Sequence, residues 1–534
     1  ARDGFVNAVV GESLMLVAGR AGIIIDILGA ISGVEQASIT AGGDLSATGA
    51  VLLADGGVNL KAGGDLRLEA GENRTRADSY SQVKKSGLFS GGGLLGITLG
   101  SQKTTTDRRN ESTQAVGTRV GSLHGDIAIQ AGGAYAQTGS DVLAPEGDIA
   151  VQATSIAITE AREIERDQLE QRFKQSGISL GLTGAAVSAA QTVVRMGEAL
   201  TRTDSPRMQA MALATGALAG KNTYDALTNP APGTDPVSLT LSIGTSKSQS
   251  TRLTERDSAK GSHIAAGGDV SLVAEGARAD SDLLIRGSTV SAGGDARLKA
   301  GGDLHLEAAH EALREQGRNK SSSASLGVSL GSQTGVTVSA SQGRGEHQGE
   351  DLTWSPTRVM AGNTLSLESG GDTTLKGATA QGETLVARVG GDLAIQSLQD
   401  QSTYAGKQKN SGFSLTVGPA GMPTGGSLSA GKSEIDSDYR SVSEQSGLKA
   451  GDGGFDVQVQ GDTALTGGVI ASRQSAVDQD INHFQSDDLV MTDIANRAEY
   501  EAIGASVSIG TGVSLDGKLA PQGTSAGVGE DSGR

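Results

Sequence analysis

The residues Gly426-Ser-Leu-Ser-Ala-Gly-Lys432-Ser433 spell the phosphate-loop pattern, in which backbone N–H groups cradle a phosphate and the lysine reaches its outer oxygens. That chemistry needs a buried strand before the loop and a helix after it. Pro419 to Gly425 precedes the pattern and a polar, Ser-rich run from Ser433 to Ser446 follows, so it reads as a coincidence of small residues. Gly-x-Ser-x-Gly, the pattern of a strained turn that exposes a nucleophilic serine, occurs at Gly177–Gly181, Gly327–Gly331 and Gly523–Gly527. Each copy lies where small and apolar residues alternate, which generates the pattern without a strand-to-helix turn. Of the histidines His124, His263, His305, His310, His347 and His483, only His305 and His310 are close. Five positions apart on an extended chain they face opposite sides and miss the metalloprotease spacing. Recurrent Gly and Asp also build calcium-binding β-rolls, but on a nine-residue period with a further glycine that is missing here. We therefore expect no catalytic, cofactor-binding or metal-binding residues, and no cofactor.

Composition narrows the classes further. The chain has no cysteine, which excludes thiolate catalysis and disulfide staples and suits export through an oxidising periplasm. With 44 Lys and Arg against 61 Asp and Glu, the net charge of −17 argues against a nucleic-acid partner. One Trp, six Tyr and six Phe among 534 residues, with 80 Gly, cannot fill several wide cores. A hydrophobic content of 36% is still too high for disorder, so burial must come from many thin layers of Val, Leu, Ile and Ala. The most apolar run, Ile23 to Ile31, contains Asp26 and Gly29 and is too short to span a membrane.

Stacked repeats meet that requirement, and the repeat is visible. A Gly-Gly-Asp element followed by alternating apolar residues recurs with its aspartate at Asp44, Asp65, Asp269, Asp295, Asp303, Asp372 and Asp392, and single-glycine variants place Asp126, Asp148 and Asp462. The intervals are about 20 residues, one solenoid coil. Between Asp126 and Asp148 three short runs separated by glycine-bearing turns predict three strands per coil, with Ile127 and Ile129 inward and Ala128 and Gln130 outward. Glycines are expected to supply positive φ at the corners, and aspartates to hydrogen-bond the backbone two residues on. About 20 coils spaced about 4.8 Å apart would make a rod on the order of 100 Å long.

Rungs are interrupted by polar excursions whose centres are alike: Lys85-Ser-Gly-Leu-Phe89, Gln175-Ser-Gly-Ile-Ser179, Ser325-Leu-Gly-Val-Ser-Leu-Gly331 and Asn410-Ser-Gly-Phe-Ser414. Their alternation predicts long β-hairpins leaving the solenoid. Residues 184–227 differ, being rich in Ala, Met, Val and Leu, with Asp204-Ser205-Pro206 as a cap, and predict a helical hairpin that packs on the solenoid or forms a partner or membrane surface. The expected organisation is preceding coils or a fragment start over 1–37; rungs over 38–158 with an excursion at 71–120; an excursion over 159–262 containing the helical hairpin; rungs over 263–473 with excursions at 309–358 and 399–449; and a terminal excursion over 474–534 with a Gly/Ser-rich end. The beginning at Ala1 and Arg2, without the features of a signal peptide, reads as a fragment of a longer chain.

Glu72 to Gln102, ending in Lys85-Ser-Gly-Leu-Phe-Ser-Gly-Gly-Gly-Leu-Leu-Gly-Ile-Thr-Leu-Gly-Ser-Gln102, together with Gln137-Thr-Gly-Ser-Asp-Val-Leu-Ala-Pro-Glu-Gly-Asp148, resembles the haemagglutinin repeats of two-partner-secreted exoproteins. Leu465-Thr-Gly-Gly-Val-Ile-Ala-Ser472 and Thr492-Asp-Ile-Ala-Asn-Arg-Ala-Glu-Tyr500 look like the closing part of their second repeat region. The resemblance covers about 35 to 515. It implies an all-β, right-handed parallel β-helix, non-enzymatic, in a filament secreted through an outer-membrane partner and displayed on a Gram-negative cell. Members of the family adhere to host cells or carry a C-terminal toxin to neighbouring bacteria, and the target-cell surface or outer membrane is the implied partner. No Val-Glu-Asn-Asn toxin boundary and no toxin domain occurs in the sequence. A passive adhesin spacer and a carbohydrate-active β-helix enzyme are the competing readings; the scarcity of aromatics for sugar stacking weighs against the second.

Overall fold

The computed structural model describes residues 11–18, 25–27, 30–90, 97–183, 238–276, 280–330, 335–419, 421, 423–513 and 519–533. The helical hairpin expected near 184–227 lies outside the described residues.

Three strands make each coil. Arg119–Ser122, Ile127–Ala131 and Ala134–Thr138 form one, and Asp141–Ala144, Ile149–Ala153 and Ser155–Thr159 stack on them in parallel, strand on strand. The first two strand positions build a 20-stranded sheet, joined where Ala30–Ala41 pairs with both Val51–Ala54 and Val58–Ala62, and the third builds an 11-stranded sheet. This is a parallel β-solenoid.

Its core is a set of apolar columns. Val58, Ile127, Ile149, Val270, Ala296, Leu365 and Leu385 stand in successive register, as do Leu60, Ile129, Val151, Leu272 and Leu298, and all are buried. Alternation aims these side chains inward, and identical stacking lets branched aliphatics of one rung fill the spaces of the next. Each fully buried Val, Leu or Ile contributes roughly 1.5–3 kcal/mol. The one aromatic deep in this core among the described residues, Tyr135, donates its hydroxyl hydrogen bond to Gln137 Oε1 at 2.9 Å, and Gln137 Nε2 donates to the Ser140 carbonyl at 2.6 Å. Burial pushes the Tyr135 phenol well above its ordinary pKa.

The Gly-Gly-Asp element works differently from its sequence expectation. The aspartate does not cap its own turn; its Oδ1 accepts the backbone N–H of the next rung. Asp126 accepts from Asp148, Asp148 from Asp269 and Asp269 from Asp295 at 2.7–2.9 Å, and Asp282, Asp303, Asp372, Asp392 and Asp462 form a second such ladder on the 11-stranded sheet. The glycine before each aspartate leaves room for the carboxylate of the preceding rung: a Cβ on Gly268, Gly294, Gly371 or Gly391 would collide with Oδ1 of Asp148, Asp269, Asp303 or Asp372. These glycines supply space, not positive φ. Positive φ is found at another corner, at Gly49, Gly139, Gly287, Gly377 and Gly467.

That corner sets the architecture. From Leu45–Thr48 onward it follows each strand of the 11-stranded sheet, and at alternate rungs the chain either turns tightly through one of those glycines or leaves as a hairpin. Five hairpins emerge there: Gly71–Ser90 with Ile97–Val116, Ala161–Thr183 with Ser238–Lys260, Ala309–Leu330 with Gly335–Ser355, Gln399–Val417 with Pro423–Val442, and Arg497–Val513 with Leu519–Gly533. Hairpins rooted two coils apart are spaced by about 9.6 Å, which is the width of two paired strands. They therefore meet edge to edge and form one continuous ten-stranded antiparallel sheet.

Two expectations are corrected. Among the described residues the 11-stranded sheet counts the rungs, so the described stack is about 50 Å long and not 100 Å, because much of the chain is spent in hairpins. The region from 474 is not all excursion: after a short helix, Gln474–Asp478, the chain adds His483–Gln485 and Leu489–Thr492 to the solenoid sheets before leaving as the fifth hairpin.

Candidate functional site

The hairpin sheet carries the chemically distinctive surface. Residues directly opposite across paired strands share a face, so the registers sort its side chains into rows. Near the solenoid the strands are tied by ion pairs between hairpins: Arg108 Nε with Asp167 at 2.8 Å, Arg252 with Glu315 at 2.9 Å, and Arg497 with Asp438 at 3.7 Å. Within the fourth hairpin Lys407 and Lys432 both reach Glu434, at 2.5 and 2.9 Å. The Lys407 hydrogen bond, followed by that of Lys432, holds the Glu434 carboxyl at about 2, below its ordinary 4.5.

Toward the tips the two faces diverge. One is made of small residues: Gly100, Gly177 and Gly244 stand opposite one another, and Thr98 bonds Ser179 hydroxyl to hydroxyl at 2.8 Å. A Cβ on Gly100 or Gly177 would strike the backbone of the facing strand, so these two positions require glycine.

The other face is apolar and exposed. One row runs Leu88, Leu99, Ile178, Ile243, Leu326 and Val338, each opposite the next, with Leu88 73% and Ile243 58% exposed. Ile97, Leu180, Leu241, Val328 and Val336 form a second row further out, also exposed.

On the same face, about 13 Å toward the solenoid, lies a line of cations. Lys84, Lys103, Lys174 and Lys247 are directly opposed on the first four strands. One step inward Lys320, Arg344, Lys409 and Lys432 continue the line on the next four. Arg172, opposite Gln249, belongs to this second row too; all nine are exposed, and neither row contains a carboxylate. Lys432 is paired with Glu434 and Arg172 with Glu170, and the other seven have no ion-pair partner among the described residues.

The motifs singled out in the sequence are dispersed. Gly426 to Ser433 is extended within Pro423–Val442 and paired on both sides, with no helix following. Gly177–Gly181 and Gly523–Gly527 lie inside hairpin strands, and Gly327 begins a third copy in another. His305 belongs to the solenoid strand Leu304–Glu307 and His310 to the hairpin strand that follows. Among the described residues no group of three His, Asp or Glu side chains could hold a metal ion, and no helix is long and apolar enough to cross a membrane. The cation line escaped the sequence reading, although a signal was present: Lys84, Lys174 and Lys409 each stand two residues before a Ser-Gly pair.

A solenoid that sheds a hairpin at every second coil and knits the hairpins into a second sheet defines the class. The hemagglutinin repeat model matches residues 28–171 and 241–411, and the chain belongs to that family, the repeat region of filamentous haemagglutinin and contact-dependent inhibition exoproteins. It is 34% identical over 502 residues to the tRNA nuclease CdiA of Escherichia coli (strain NC101), covering 91% of this chain and 15% of that protein. It is 34% identical over 483 residues to the deoxyribonuclease CdiA of Yersinia pseudotuberculosis serotype O:3 (strain YPIII), covering 89% and 44%. With the 16S rRNA endonuclease CdiA of Enterobacter cloacae subsp. cloacae it shares 33% identity over 503 residues, 91% of this chain and 15% of the relative. The chain thus spans well under two thirds of the curated relatives it matches. No solved structure matches it.

Proposed function

We propose that this chain is a non-catalytic segment of a secreted surface stick of a Gram-negative bacterium, exported through an outer-membrane partner, and that it makes contact with a target cell. In toxin-bearing relatives the corresponding segment would help carry a C-terminal toxin through the target outer membrane. The observation that supports contact rather than passive spacing is the hairpin sheet. A spacer needs only the solenoid, whereas this chain spends five hairpins on a wall whose distal face exposes apolar rows.

Displaying the chain, and a version in which residues 322–342 of the third hairpin are replaced by a tight turn, on an inert carrier tests this. The shortened version should keep its β-circular dichroism and adhere markedly less to Gram-negative target cells. Equal adherence would return the chain to the role of spacer.

A further inference from the structure

We propose that the exposed face of the hairpin sheet binds phosphate-bearing lipid, its line of cations engaging headgroup phosphates and its apolar rows meeting acyl chains. This rests on the contact reading above and names the partner of that surface.

Three features carry it. Directly opposed like charges destabilise a sheet, yet Lys84, Lys103, Lys174 and Lys247 face one another on four successive strands. The repulsion is relieved when anions sit between them, so the row is built for a line of negative groups at roughly 4.8 Å spacing. The cations are also concentrated against the molecule's own balance: the chain carries −17 overall, while these rows hold nine cations, seven of them unpaired among the described residues, and no carboxylate. Finally, the apolar rows lie on the same face and beyond the cations, at the free end of the sheet. A free phosphate or a nucleic acid would use the cations and leave Leu241, Ile243 and Leu326 in water. A lipid monolayer uses both, since its phosphates and acyl chains are separated in depth as these rows are separated along the strands. An interfacial element buries its apolar surface by about 5–10 Å, which lies within the roughly 13 Å from the nearer apolar row to the first cation row.

The test is co-sedimentation of the full chain with phosphatidylcholine vesicles, with and without phosphatidylglycerol. Binding should require the anionic lipid and weaken with salt. Each lysine removed from the surface should cost about fivefold in affinity, so K103E/K174E/K247E should abolish binding and the neutral K103Q/K174Q/K247Q should lower it about a hundredfold. L241S/I243S/L326S should keep the low-salt, electrostatic binding and lose the salt-resistant fraction. These positions are exposed, and unchanged circular dichroism confirms the fold of each variant. Equal binding to both vesicle types, indifference to the lysine changes, or equal competition by inorganic phosphate or single-stranded DNA would overturn the proposal. Adherence to cells without vesicle binding would leave the contact reading standing and remove its lipid partner; vesicle binding through this face without cell adherence would do the reverse.

Discussion

At the scale of residues, the same letters do different work in coil and hairpin. Ile129 is 1% exposed, between Leu60 below and Val151 above, so a carboxylate there has apolar neighbours in both directions. Ser323 is exposed and bonds Ser341 hydroxyl to hydroxyl at 2.8 Å across its hairpin. Ile129→Asp should destabilise by several kcal/mol, on the scale of an unpaired buried charge, while Ser323→Asp should stay within about 0.5 kcal/mol. Solenoid stability is a sum of neighbour terms, so limited proteolysis of the Ile129 variant should nick residues 120 to 160 first. Equal losses at both sites would contradict the division. Ile127, Leu393 and Ile395 were readable as buried from alternation alone, and so was the structural character of the Gly-Gly-Asp turns. The partner of Asp148 was not readable, because the amide it accepts, at Asp269, is separated from it by a whole hairpin.

At the scale of elements, the hairpins could be foreseen one by one but not as a sheet. Alternation around Ser86-Gly87 and Ser176-Gly177 marks strands; the pairing of Arg172 with Thr105 depends on where two roots are placed by the coils between them. The cation line was hidden for the same reason, since Lys103, Lys174 and Lys247 become neighbours only after that pairing. The commensurate spacing has a direct consequence. Deleting residues 263–288 removes one hairpin-free coil and brings the second and third hairpin roots to about 4.8 Å, too close for four strands side by side. Amide hydrogen exchange should then lose protection across the seam where Thr251 meets Arg318 and keep it within each hairpin, where Arg172 meets Gln249. Protection retained at that seam would show that the coil period does not set the sheet.

At the scale of the molecule, the fold is two sheet systems of one origin: a stack about 50 Å long and, leaving it along one corner, a wall of similar width whose strands of about 20 residues extend roughly 65 Å. The stack supplies a rigid ruler and the wall supplies surface, which is the division of labour that a stick making cell contact requires. Its central claim is that separate hairpins are held in one sheet by the two-coil period. The absence of cysteine allows spin labels at Gln82→Cys and Lys409→Cys, positions on one row but on the first and seventh strands of the wall. Pulsed electron–electron resonance should give a single narrow distance near 29 Å, the span of six inter-strand steps at about 4.8 Å. A broad distribution, as independent hairpins would produce, would contradict the account.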